Sequence, residues 1–521
     1  MNHLKQLVLI PLMFGLLLPK FAIGLETPNG TPQEPESSLD ETVIVHLKEQ
    51  YDLSQFNAAQ YPTQLDRGQA LAKILTKFTK ANALRAFPFL FSDAGVKEVT
   101  FIWLTNSLRV VASPNVIKKI QGWSGSKIES INFEKRFPIE EIKEPSSSLF
   151  SPIRTWAEPK IAWGVEKLKA PEVWKEGFQG QGSLVALIDT GANTSHPDLL
   201  PNIWNNPGEQ GLDKNGKDKA TNKIDDDNNG YIDDLNGFNF EHHNAVIKDD
   251  QGHGSQTAGI VGGAGTGGTQ TGVAPKTKMM ILKACCSLEG DASETAIMEA
   301  IQYAIQNGAK VISMSLSIKP YSDPNYRKWR QGGEVELAAE IIHINSAGNL
   351  GGGSEPHNIG APASNPPAWY HLKQTKSESK TSMITIGATD EQDLLRDYSG
   401  VGPVSWEDVE GYLDFPFANG KFPGLIKPEV CAPSEVPSTS MAGADYTSGF
   451  GGTSSATPHI GGVVALLISL KADLNPSQVT EALQMSAIPV GEIYSNHCGS
   501  GRVDALAAMD YVRNHFRKKL N

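Results

Sequence analysis

Residues 450–462 read Phe450-Gly451-Gly452-Thr453-Ser454-Ser455-Ala456-Thr457-Pro458-His459-Ile460-Gly461-Gly462, a glycine-flanked bend that opens a strongly apolar helix. Ile460, Val463, Val464, Leu466, Leu467, Ile468 and Leu470 leave that helix apolar nearly all round, so it belongs in the middle of a large core. Ser454 falls at its start, where backbone N–H groups lack helical partners and the helix dipole is positive. An oxyanion forming beside it would be stabilised. A Gly/Ser/Thr turn that merely caps a buried helix has the same local sequence, so the rest of the chain decides between the two readings.

Residues 183–188, Ser-Leu-Val-Ala-Leu-Ile, form a short apolar run that reads as a buried parallel strand and ends in Asp189-Thr190-Gly191. Catalytic groups of α/β sheets lie outside the carboxyl ends of their strands. Downstream, His253 sits in Gly252-His253-Gly254-Ser255-Gln256-Thr257-Ala258-Gly259. Asp, then His, then Ser is one of the chain orders in which the Ser-His-Asp triad occurs. With Asn345-Ser346-Ala347-Gly348-Asn349, these blocks resemble the subtilisin-like serine peptidases, the subtilase family. The resemblance implies an α/β fold with a mostly parallel sheet covered by helices. It also implies Asp189 as orienter, His253 as general base, Ser454 as nucleophile and Asn349 as oxyanion donor, with no cofactor for catalysis.

The resemblance further aligns Gly290, Asp291 and Ala292 with one substrate-lining edge and Ser315, Leu316 and Ser317 with the opposite one. An extended peptide would bind between them by adding a strand. Ser317 stands where the family usually has glycine, which narrows the adjoining specificity pocket. Ser255, Gln256 and Thr257 also depart from the usual residues after the histidine, at positions that shape packing and a substrate wall. His343 and His459 read as structural.

The ends of the chain add organisation. Lys5, an apolar run over residues 7–18 and Ala22-Ile23-Gly24 read as a secretory signal peptide over 1–24, so the protein is expected to be secreted or extracytoplasmic without a stable membrane anchor. Residues 25–39 have a spacer composition. Strand patterns at 42–47, 98–104, 108–112 and 127–133 and helix patterns at 68–80 and 114–121 make a small α+β, ferredoxin-like unit of order β-α-β-β-α-β. Its topology and position resemble the family's propeptide, which implies an intramolecular inhibitor and chaperone. The segments are thus a spacer and propeptide over 25–137, a Pro/Ser-rich processing linker over 138–155, and a catalytic domain over 156–516.

A net charge of −12 disfavours nucleic-acid binding and fits a soluble protein. The stretch 205–240 is unusually acidic. Asp225, Asp227, Asn229, Tyr231 and Asp233 alternate around Gly230, a spacing that wraps a hard cation such as Ca²⁺, although Asn236 stands where an EF-hand needs a bidentate Glu. Of the four cysteines, adjacent Cys285 and Cys286 read as poorly placed to bond each other; Cys431 and Cys498 complete the set. The expected function is therefore a secreted serine endopeptidase acting on polypeptides and made as a self-processing precursor. A subtilase-fold peptide ligase or cyclase, and a catalytically retired peptide-binding protein, are the alternatives.

Overall fold

The computed structural model describes residues 40–123, 125–138, 160–286, 291–351, 358–417 and 424–516. The expected signal segment 1–24, nearly all of the linker 138–155 and Gly290 lie outside the described residues.

The amino-terminal unit has the expected order: β1 (Glu41–Leu47), α1 (Gln64–Ala86), β2 (Val96–Ile102), β3 (Ser107–Ala112), α2 (Pro114–Gln121) and β4 (Ile128–Phe133). The strands lie side by side as β2-β3-β1-β4, each antiparallel to its neighbour. Helix α1 is longer than its apolar spacing suggests. Thr63 caps it by accepting the Asp66 N–H at 3.0 Å, and its polar first turn carries no periodic signal. Ala83 and Ala86 pack into the unit's own core, whereas Leu71, Ala72 and Leu75 enter a core shared with the larger unit. Contact there is close. A Cβ on Gly68 would stand 1.8 Å from the Ile305 carbonyl oxygen, so only glycine lets α1 meet the helix Glu294–Gln306.

Seven parallel strands make the main sheet, in the spatial order Val430–Pro433, Met383–Thr389, Ile342–Ser346, Val311–Met314, Leu184–Asp189, Lys278–Lys283 and Gly237–Asn239. Alternate side chains of one strand enter different cores: Val185 and Leu187 face one, Ala186 and Ile188 the other. Burial on both faces is why the strand reads as an unbroken apolar run rather than an alternating one. The helix Gly452–Leu470 covers the first face and Glu294–Gln306 lies on the second. Gly452–Leu470 is also long and apolar enough to cross a membrane, but it is a core helix with Val463, Val464, Leu466 and Leu467 fully buried.

A short strand, β5 (Arg136–Pro138), joins the two units. It pairs antiparallel with Asp291–Ser293, Pro138 opposite Asp291 and Phe137 opposite Ala292. Phe137 is buried in the shared core, and Arg136 reaches Glu241 at 2.5 Å and Asp291 at 2.8 Å.

The cysteine expectation is overturned at one pair. Cys285 and Cys286 are bonded to each other, and Cys431 is bonded to Cys498. Cys286 takes a φ of +68°, a left-handed turn that brings neighbouring side chains together where an extended strand would hold them apart.

Candidate active site

Asp189 ends the strand Leu184–Asp189, His253 opens the helix His253–Gly262, and Ser454 lies in the first turn of Gly452–Leu470. His253 Nδ1 is 2.7 Å from Asp189 Oδ1. The same carboxylate accepts the Thr190 N–H at 2.7 Å and the Thr257 hydroxyl at 3.3 Å. With Asp189 only 2 % exposed, these donors keep a buried anion satisfied and fix the face it turns to the imidazole. Thr257, one of the residues that depart from the family's usual ones after the histidine, thus reaches Asp189 itself. Ser255 donates its N–H and hydroxyl to Asp249 at 2.8 and 2.6 Å, tying the helix start to the loop before it. The Phe450 ring meets the His253 ring edge-on at 5.2 Å.

The nucleophile turn contains its own compensation. Pro458 lies inside the helix and has no N–H for the Ser454 carbonyl four residues back. Ser315 Oγ donates to that carbonyl at 2.9 Å, and Ser454 Oγ lies 3.3 Å from the Ser315 carbonyl oxygen. Ser315 therefore ties the end of the strand Val311–Met314 to Ser454. Asn349 Oδ1 accepts both the N–H and the hydroxyl of Thr453, each at 2.9 Å, which orients the amide so that its NH₂ is the end turned away from Thr453. Thr453 is a positioning residue that sequence reasoning passed over, although it adjoins Ser454.

Of the two expected edges, Asp291, Ala292, Ser315, Leu316 and Ser317 are among the described residues. Asp291–Ser293 is a strand, already paired with β5. On the other side the ladder stops at Met314, so Ser315, Leu316 and Ser317 leave the sheet. The Leu316 side chain points into the core that also holds Phe137, while Ser315 and Ser317 line a pocket together with Ser454 and Asn349. Gly348 and Gly360 approach Ser317 closely: a Cβ on Gly360 would lie 2.7 Å from Ser317 Oγ. Ser317 therefore borders the pocket together with Gly348 and Gly360.

His343 and His459 are structural. His343 is bonded to Glu336 at 2.6 Å. His459 Nδ1–H donates to the Ser455 carbonyl at 2.8 Å, and burial lowers its pKa to about 4. Neutral burial has a pH consequence. Between pH 6.5 and about 4 the unfolded chain takes up a proton that the folded one refuses, so the contribution is complete above pH 6.5 and is lost as pH falls towards 4, by about 3 kcal/mol in all. Denaturant unfolding of wild type and His459→Leu at pH 7.5 and 4.5 checks this: wild type is expected to lose more stability on acidification than the variant. Equal losses would exclude His459 as the source.

The acidic stretch is gathered differently from the sequence reading. Asp225 and Asp227 come together with Glu209, their oxygens all within 4.8 Å of one another. Asp233 instead accepts the Lys223 N–H, Asn229 donates to Asp227 and Asp234, and the Tyr231 ring packs against Phe238 and Tyr303. The loop folds back on the segment before it, so the third carboxylate comes from sixteen residues upstream of Asp225 and not from its own repeat. Burial pushes the Glu209 carboxyl up to about 7, and the charges of Asp234, Asp226 and Asp227 add to the shift. Glu209 Oε2 is buried without a hydrogen-bond partner. A donor set of clustered, partly orphaned carboxylate oxygens fits a hard cation.

A buried carboxylate bonded to a histidine, together with a serine and an amide that share one pocket, is the equipment of a serine hydrolase working through an acyl-enzyme. The sequence pattern of the Subtilase family matches residues 180–507, and the chain belongs to that family. It is a serine endopeptidase and its substrates are polypeptides. The chain is 26% identical over 441 residues to Bacillopeptidase F of Bacillus subtilis (strain 168), covering 80% of this chain but only 26% of that protein. It is 27% identical over 348 residues to Subtilisin DY of Bacillus licheniformis, covering 67% of this chain and 98% of the relative. With Thermitase of Thermoactinomyces vulgaris it shares 25% identity over 352 residues, 67% of this chain and 96% of the relative.

Proposed function

We propose that the protein is a secreted serine endopeptidase whose amino-terminal unit is an inhibitory propeptide that the enzyme removes from itself. Strand β5 carries this reading. It lies on the Asp291–Ser293 edge, in the place an extended substrate would take, and is still joined to the unit that precedes it. The signal-like segment 1–24 supports export.

In the mechanism, Ser454 Oγ attacks the scissile carbonyl carbon while His253 takes its proton. Asp189, fixed by Thr190 and Thr257, holds the imidazolium. Asn349 and the Ser454 backbone N–H stabilise the oxyanion. The C–N bond breaks as His253 passes the proton to the leaving amine, leaving an ester on Ser454. Water then attacks the ester, its proton goes to His253 and on to Ser454 Oγ, and the acid product departs.

Self-processing is tested with Ser454→Ala. A cut made within one molecule is expected to be first order and independent of protein concentration. Mass spectrometry in a protease-deficient host is expected to find wild type as two fragments, the larger beginning between residues 138 and 160, and the variant with its amino-terminal unit attached. Identical processing of the two would assign the cut to another peptidase.

Glu209, Asp225 and Asp227 are proposed to hold a structural calcium ion, which would neutralise their repulsion and tie the two ends of the acidic loop together. A ligand bound only to the folded state at a hundred times its Kd stabilises by about 2.7 kcal/mol. Excess calcium is therefore expected to raise the unfolding temperature relative to chelator, and Asp225→Asn to remove the difference. The same temperature in chelator and calcium would dismiss the site.

A further inference from the structure

Strand β5 lies on the Asp291–Ser293 edge in a fixed register, Arg136 opposite Ser293, Phe137 opposite Ala292 and Pro138 opposite Asp291. Successive side chains of a strand turn to opposite faces. Phe137 enters the shared core, whereas Arg136 Nη2 donates to two carboxylates, Glu241 at 2.5 Å and Asp291 at 2.8 Å. Asp291 belongs to the edge itself. Glu241 comes from the other side, two residues beyond Gly237–Asn239, the outermost strand of the main sheet.

A second observation concerns Glu241 itself. Its side chain is only 3 % exposed, and Oε1 is buried without a hydrogen-bond partner. Burial pushes its carboxyl up, against the opposing pull of the Arg136 guanidinium. Once β5 leaves the edge, Glu241 is a carboxylate held out of water beside a second one, without the guanidinium that joins them, and such an uncompensated buried charge is costly. A substrate strand in the same register that carries an arginine restores both charge-assisted hydrogen bonds. Its planar fork of donors suits two carboxylates better than the point charge of a lysine does.

We propose that Glu241 and Asp291 form a subsite for an arginine of the substrate, at the residue directly before the one that enters the shared core in the place of Phe137. The enzyme then favours polypeptides with an arginine followed by an apolar residue in the strand that lies on the edge, and Arg136 fills the same subsite in the precursor. Glu241 is the specificity-determining residue. The proposal rests on the peptidase reading of Ser454 and on Asp291–Ser293 as the substrate edge, and it adds the substrate class.

The experiment uses protein recovered from expression of the full chain and internally quenched peptides with the sequence of residues 133–148, which begins Phe-Glu-Lys-Arg-Phe-Pro. Position 136 of the peptide is made Arg, Lys, Gln or Glu. For wild type, kcat/KM with arginine is expected to exceed that with glutamine by on the order of tenfold to a hundredfold, the range for a hydrogen-bonded charge, with lysine between them and glutamate lowest. A peptide of equal charge, with glutamine at 136 and arginine moved to 133, is expected to be cut no faster than the glutamine peptide. Glu241→Gln is expected to close most of the gap, and Asp291→Asn, at a more exposed carboxylate, part of it. Equal cleavage of the arginine and glutamine peptides by wild type, full activity on the peptide with the displaced arginine, or a preference unchanged in both variants would overturn the proposal. Labelling of Ser454 by a generic fluorophosphonate separates the two levels. Labelling without an arginine preference removes the subsite alone, whereas neither labelling nor cleavage of any peptide removes the peptidase reading and this proposal with it.

Discussion

His253→Ala is expected to lower kcat/KM by about 10⁶-fold, a magnitude taken from removal of a triad serine or histidine in a subtilisin. Without the imidazole the Ser454 hydroxyl keeps its proton, and the leaving amine has no acid to protonate it. The Ser454→Ala, His253→Ala double variant is expected to be no slower than either single one, because the two groups act as a unit. Covalent labelling by a fluorophosphonate, read by intact mass, is expected to fall with the rate. Labelling that persists in His253→Ala at the wild-type rate would mean that another group activates the serine.

Asn349→Ala is expected to lower kcat by about 10²- to 10³-fold with KM little changed, since an oxyanion donor acts on charge that develops only in the transition state. The wild-type amide is anchored at its oxygen by two donors from Thr453. Thr453→Val removes one and keeps the backbone N–H, so a smaller loss is expected, again in kcat. Steady-state kinetics on one peptide decides it. A change confined to KM would place Asn349 in ground-state binding and not at the oxyanion.

Much of the fold could be read because its signals are local. The unbroken apolar run before Asp189, the all-apolar helix after Ser454 and the alternating elements of the amino-terminal unit each follow from burial on one or two faces. The capping box at Asn475 and Gln478 forms as its spacing implies. What escaped depends on distant segments meeting. Glu209 joins Asp225 and Asp227 only because the acidic loop folds back, and no periodicity records such a fold. Thr257 is one turn into a helix whose sequence says nothing of Asp189, sixty-eight residues earlier. The Cys285–Cys286 bond was not legible either, because adjacency in sequence does not reveal the left-handed turn that Cys286 takes.

The place of the helix Gly452–Leu470 in the chain also bears on biosynthesis. It lies against Val311–Met314, Ile342–Ser346, Met383–Thr389 and Val430–Pro433, every one of which leaves the ribosome before it. Until it emerges, those strands have one apolar face open to water, and nascent chains with such surface are prone to aggregate. Chains terminated before residue 452 are therefore expected to be insoluble even though they contain the amino-terminal unit and all seven strands of the main sheet, whereas chains ended just after residue 516 include the covering helix. Translation from residue 452 onward is thus when the molecule passes from a half-covered sheet to a closed one, and a pause placed there would lengthen its exposure to chaperones and proteases alike.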